Sequence, residues 1–147
     1  MAAAAPAKPN FLYILCDDLG YGDVKCLNPK GKIATPNLDK LAAAGMYFTD
    51  MHSSSSVCSP TRYGIMTGRY NWRTKLQSGV LGGLSPRLIE PGRLTVAQLL
   101  KDHGYHTAAI GKWHLGMDWA KLPGKDVNEL NIDRKSTRLN SSHVALS

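Results

Sequence analysis

The sequence has little cysteine, no long apolar run and no block of like charge, and each shortage removes a class of protein. Three cysteines in 147 residues are too few and too scattered for a disulfide scaffold. No Cys-x-x-Cys pair suggests structural zinc or thioredoxin-like redox chemistry, so Cys58 has to be read on its own. The longest strongly apolar stretch, Phe11 to Cys16, falls far short of the roughly 20 residues of a membrane-spanning helix. No membrane partner is expected. Eighteen Lys and Arg against eleven Asp and Glu give a formal charge of +7, but the basic residues are dispersed from Lys8 to Arg138. Dispersed charge argues against a nucleic-acid partner and fits a small anionic substrate.

What is present is ordinary globular composition, 43% hydrophobic and 20% charged, in a chain long enough for one domain at most. Both ends stand apart. Residues 1–9 are alanine-rich but too short for an intact signal peptide. They read either as the remnant of a cleavage region or as a disordered tail. Asp133 to His143 matches, codon for codon, the translation of a short-read sequencing adapter, so residues 133–147 are expected to be non-native. Without Asp133, Arg134, Lys135 and Arg138, 15 basic and 10 acidic residues remain, a charge of +5. Residues 10–132 are then the authentic folded part.

Within that part, Phe11 to Cys16 is a short apolar run with aromatic and β-branched members, which predicts a buried strand of the parallel type. Thr35-Pro36, with Leu38, Leu41 and Ala42 at helical spacing and Gly45 beyond, predicts a helix over 37–44. Met46 to His52 reads as a second strand. Ser53 to Ser56 reads as a polar loop, and Ser59-Pro60 as the opening of a short helix that Gly68 closes. Thr95-x-x-Gln98 is a capping box before Val96, Leu99 and Leu100, with Gly104 as the stop. Tyr105 to Ile110 reads as a third strand, and Gly79 to Gly92 as a long surface loop. Two helix-to-strand passages favour an α/β layered domain.

Two segments carry chemistry. Asp17-Asp18 stands at the expected end of the first strand, where open α/β sheets place ligand sites, and adjacent carboxylates invite a cation. Cys58 stands at the start of a helix, where unpaired N–H groups favour negative charge, and Arg62 lies one turn on along the same face. An anion bound there would meet both. Cys16 and Cys26 are ten residues apart. A bridge between them stays open, although a buried free thiol is the expected state of Cys16.

The run Ser56 to Gly68, with its Cys58-x-Pro60-x-Arg62 core, resembles the signature of the type I, formylglycine-dependent sulfatases. Gly104 to Gly116, containing Lys112-Trp113-His114, resembles a second signature of the same family. Asp17-Asp18 and Thr35-Pro36-Asn37-Leu38-Asp39 also fall where the family has them, so the likeness runs from about Pro9 to Pro123. The resemblance implies an alkaline-phosphatase-like α/β/α sandwich, of which this chain holds only the amino-terminal part of the main domain. It implies hydrolysis of aryl or carbohydrate sulfate esters with Ca²⁺, and conversion of Cys58 to formylglycine by a formylglycine-generating enzyme. Asp17, Asp18 and the modified Cys58 would be metal ligands. Arg62 and Lys112 would hold the hydrate and the sulfate oxygens, and His114 would hydrogen-bond the hydrate and help expel sulfate.

A sulfate monoester needs its developing charge met by fixed cations in a dry site, and Ca²⁺, Arg62 and Lys112 can supply them. Further metal and substrate ligands, an Asp-Asn pair, a Lys and a His, are expected from segments outside this chain, which alone is expected to be inactive. The resemblance also implies a periplasmic or secreted protein. Two rivals share the motifs: a phosphonate or phosphate-ester hydrolase of the same superfamily, and a catalytically dead binding protein that kept the fold.

Overall fold

A computed structural model describes residues 8–118, in two units, 8–51 and 52–118. Most of the 1–9 segment and all of 133–147 lie outside the described residues.

The first unit contains a 3₁₀ turn, Tyr21–Asp23, and helix α1, Pro36–Ala44. The helix opens at Thr35-Pro36 as the sequence predicts, because proline at the first turn gives up no intrahelical hydrogen bond. Thr35 does not spend its hydroxyl as a cap. The hydroxyl donates to Asp39 Oδ1 (3.0 Å) and accepts from the Lys25 N–H (2.8 Å). Asp39 Oδ1 also accepts from the Cys26 N–H at 2.9 Å. Polar cross-links of this kind order the unit, since none of its described apolar side chains is buried. Gly45 ends the helix, its N–H donating to the Leu41 carbonyl at 3.0 Å.

The second unit is built around α2, Cys58–Thr67, which packs against a 3₁₀ turn, Asn71–Arg73, and α3, Val96–Asp102. Tyr63, fully buried on α2, is the centre of a small core with Leu76, Leu88 and Leu115, flanked by Met66, Leu81, Ile89 and Trp113. Gly68 closes α2 in the left-handed conformation (φ 63°) with its N–H on the Gly64 carbonyl. The serine-rich stretch before α2 is seated on the helix: Thr61 donates to the Ser55 carbonyl at 2.8 Å. A side chain at Gly64 would collide with Ser54. Beyond α2, the Asn71 amide donates to the Leu76 carbonyl and the Thr74 hydroxyl accepts from the Leu76 N–H, which brings Leu76 into the core with its polar neighbours satisfied.

At α3, Thr95 caps the Gln98 N–H at 3.1 Å, while the Gln98 side chain reaches forward to Asp102. Only the Thr95 half of the predicted capping box is therefore seen. The far end is a Schellman motif, with Gly104 N–H on the Lys101 carbonyl and Tyr105 N–H on the Leu100 carbonyl.

Three expectations are corrected here. No strand forms among the described residues, and Phe11–Cys16, Met46–His52 and Tyr105–Ile110 carry no regular structure. Phe11 and Leu12 are 65% and 86% exposed. A parallel strand gains its stability from hydrogen-bonded neighbours and from cover on both faces, and the first unit offers Phe11 to Cys16 neither. The α/β layering is thus not formed within residues 8–118, whose regular elements are helical. Second, Gly79 to Gly92 is not wholly a surface loop, because Leu88 is 2% exposed and joins the core. Third, Cys16 is a free thiol but exposed, as is Cys26, and no bridge joins them.

Candidate active site

Cys58 begins α2 after Val57, whose extended backbone (φ −133°, ψ 165°) turns the chain into the helix. The side chain is half-buried at the helix start, where the free N–H groups concentrate partial positive charge. Arg62 follows one turn later, and its guanidinium donates to the Lys112 carbonyl. Lys112 turns its own ammonium to Cys58, with Nζ 3.2 Å from Sγ. One cation thus meets the sulfur directly, and the second holds the backbone of the residue that carries the first.

The segment that delivers Lys112 is held by close backbone pairing. Leu88 N–H donates to the Leu115 carbonyl at 2.8 Å and Met117 N–H to the Ser85 carbonyl at 3.2 Å. Gly116 (φ 71°) permits this approach, because a Cβ there would strike the Pro86 carbonyl. Trp113 Nε1 closes the same turn on the Gly116 carbonyl at 2.9 Å.

His114 adopts the left-handed region (φ 53°), which a non-glycine residue keeps only when its surroundings fix it. Its Nε2 lies 2.7 Å from the Leu81 carbonyl. A carbonyl can only accept, so Nε2 carries a proton, and in the neutral ring Nδ1 is the acceptor. That Nδ1 is buried and has no hydrogen-bond partner among the described residues. A buried acceptor of this kind fits a hydroxyl donor.

Asp17 and Asp18 belong to the first unit, where both are exposed. Asp18 takes a left-handed conformation (φ 57°), which a short polar side chain tolerates. The turn that follows is tied by the Gly20 N–H on Asp23 Oδ2 at 2.9 Å. Two neighbouring carboxylates are hard oxygen donors of the kind calcium takes, about six to eight at a time, so the donor chemistry fits. The second unit brings together Cys58, Arg62 and Lys112 and anchors His114 beside them in sequence.

Two participants escaped the sequence reading: Leu81, through its backbone, and Ser59, fully buried, whose hydroxyl accepts from the Leu81 N–H at 3.2 Å. Backbone partners leave no residue-type signal, and Ser59 beside Pro60 reads only as a helix opening.

Residues 9–138 match the sulfatase family. The chain belongs to that family. Among curated relatives of this sulfatase-family chain, N-acetylgalactosamine-6-O-sulfatase of Bacteroides thetaiotaomicron is 43% identical over 110 residues, covering 75% of this chain and 21% of its own. Human steryl-sulfatase is 43% identical over 118 residues (77% and 20%) and human arylsulfatase A 44% over 117 (80% and 22%). The chain thus spans about a fifth of the length of these relatives. No solved structure matches it.

Proposed function

We propose that the complete protein carrying this segment hydrolyses sulfate esters, with an alkaline-phosphatase-like α/β/α domain as its frame. The observation that carries the reading is the Lys112 ammonium 3.2 Å from Cys58 Sγ in a chain of the sulfatase family. Residue 58, converted to formylglycine by a formylglycine-generating enzyme, would supply a hydroxyl nucleophile for sulfur, the ester's alcohol leaving, and a second hydroxyl through which sulfate would be released. Asp17 and Asp18 would hold Ca²⁺, with the modified residue 58 as a further ligand, and the ion would supply positive charge for the sulfate oxygens.

The remaining work falls to side chains of this unit. Lys112 and Arg62 meet the negative charge that grows on the transferring group, where fixed cations act without reorganising. Their mutual contact, guanidinium to Lys112 carbonyl, holds the ammonium in place before substrate arrives. His114, with Nε2–H engaged by Leu81, receives a proton at Nδ1 as sulfate leaves.

Parallel assays of the complete protein with an aryl sulfate and an aryl phosphate test this. Turnover of the sulfate, at a kcat/KM well above that for the phosphate, is expected. The reverse preference would assign a phosphate- or phosphonate-ester hydrolase. Activity on neither, with residue 58 shown by mass spectrometry to be formylglycine, would assign a binding protein.

A further inference from the structure

We propose that Ser59 is a positioning residue for His114, acting through the backbone of Leu81. Ser59 Oγ accepts from the Leu81 N–H at 3.2 Å, and the Leu81 carbonyl accepts from His114 Nε2 at 2.7 Å. The two peptide units that meet at the Leu81 Cα are thus tied, one to the residue after Cys58 and the next to the histidine. The three residues are 22 and 33 positions apart in sequence, so nothing local dictates the chain of contacts.

Ser59 is 0% exposed. A buried hydroxyl is costly unless its bond is made, and this one is spent on a loop peptide although it sits in the first turn of a helix, where it could have served local backbone groups. Leu81 lies in a stretch with four glycines between 79 and 92, which leaves the backbone around it weakly fixed by its own sequence. The Ser59 hydroxyl supplies what the glycines withhold. With the Leu81 backbone anchored on its N–H side, its carbonyl selects the Nε2–H tautomer and sets the ring of a residue already held at φ 53°. Nδ1 is thereby kept as the acceptor. Leu81 thus acts through its backbone, and its side chain only packs against the core.

The inference rests on the sulfatase reading only for what Nδ1 then does; the tautomer itself can be observed without turnover. The chain is labelled with ¹⁵N-histidine, and the His114 Nε2–H is followed by one-bond ¹H–¹⁵N correlation and solvent exchange. A protected Nε2–H signal is expected in the wild type. Ser59→Ala should raise its exchange rate about tenfold, the factor that loss of one hydrogen bond supplies. Ser59→Cys, of similar volume and with a weak acceptor, should do the same if the alanine variant does not fold. Leu81→Ala, which keeps the peptide and removes packing, should leave the signal protected. Unchanged exchange in the folded serine variants, or loss of the signal in Leu81→Ala alone, would overturn the inference.

In the complete protein, kcat per formylglycine-bearing molecule should fall about tenfold in Ser59→Ala with KM unchanged. If the wild type hydrolyses no sulfate ester while the exchange result holds, the functional reading fails and the positioning role stands. If sulfate is hydrolysed and exchange is unaffected, the positioning role fails alone.

Discussion

Lys112 Nζ donates to Cys58 Sγ across 3.2 Å, although 54 positions separate the two residues. The contact joins two motifs that are each unremarkable alone, a cysteine at a helix start and a lysine on an irregular segment. Lys112→Ala in the complete protein should lower kcat for an aryl sulfate by roughly 10² to 10³, the usual cost of losing one charge-stabilising donor. The thermal midpoint should change little, because the ammonium is not part of the core. Steady-state kinetics beside a thermal melt separate the two effects.

Gly116→Ala should act through the backbone instead. The added methyl would meet the Pro86 carbonyl, at a position with φ 71°, so both overpacking and left-handed strain oppose it. Destabilisation of about 1–3 kcal/mol is expected, read from urea denaturation, with loss of the pairing between 85–88 and 115–117.

Glu90 is one carboxylate through which the second unit's stability depends on pH. Its carboxyl is held below the usual carboxylate range, first by a backbone hydrogen bond, then by the Tyr63 hydroxyl (3.2 Å) and by Arg69 and Arg93. A depressed folded-state value means that this stabilisation is present above the ordinary carboxylate value and is lost as pH falls through the folded one. Urea midpoints measured down the acid side should drop in the wild type and drop less in Glu90→Gln. Equal acid sensitivity of the two would show that other groups set it.

Cys26 should be a slow thiol although exposed. Partial desolvation, and then the charge and hydrogen bond of Asp39, push its value up, so less thiolate is present at neutral pH. Asp39→Asn keeps an acceptor and removes the charge. Alkylation at Cys26, followed by peptide mass spectrometry, should be faster in that variant.

The helices were legible because their signals are local. Thr35-Pro36, Gly68 and Gly104 each act within one or two turns of chain. The strands were not, because Phe11 to Cys16 can be a strand only if other segments pair with it, and none does so within residues 8–51. The candidate site shows the same division. Cys58 and Arg62 share a helix face, whereas the contact of Lys112 with Cys58 depends on Leu88 and Gly116 holding a distant segment in place. Leu88 sits in a glycine- and proline-rich stretch whose composition reads as surface, and its burial depends on a core assembled from four separated segments. Ser59 and Leu81 meet through a backbone N–H, which no residue-type pattern encodes.

The most direct measurement is intact-protein mass spectrometry of the complete protein bearing Cys58→Ser, with the serine confirmed unconverted, after incubation with an aryl sulfate. A serine hydroxyl beside Lys112 and Arg62 can attack sulfur, but it lacks the second hydroxyl that would expel sulfate. The expected result is one sulfuryl group retained on residue 58 and no further turnover, with neither adduct nor turnover in Cys58→Ala. Sustained turnover by Cys58→Ser would contradict the assignment of residue 58 as the formylglycine nucleophile.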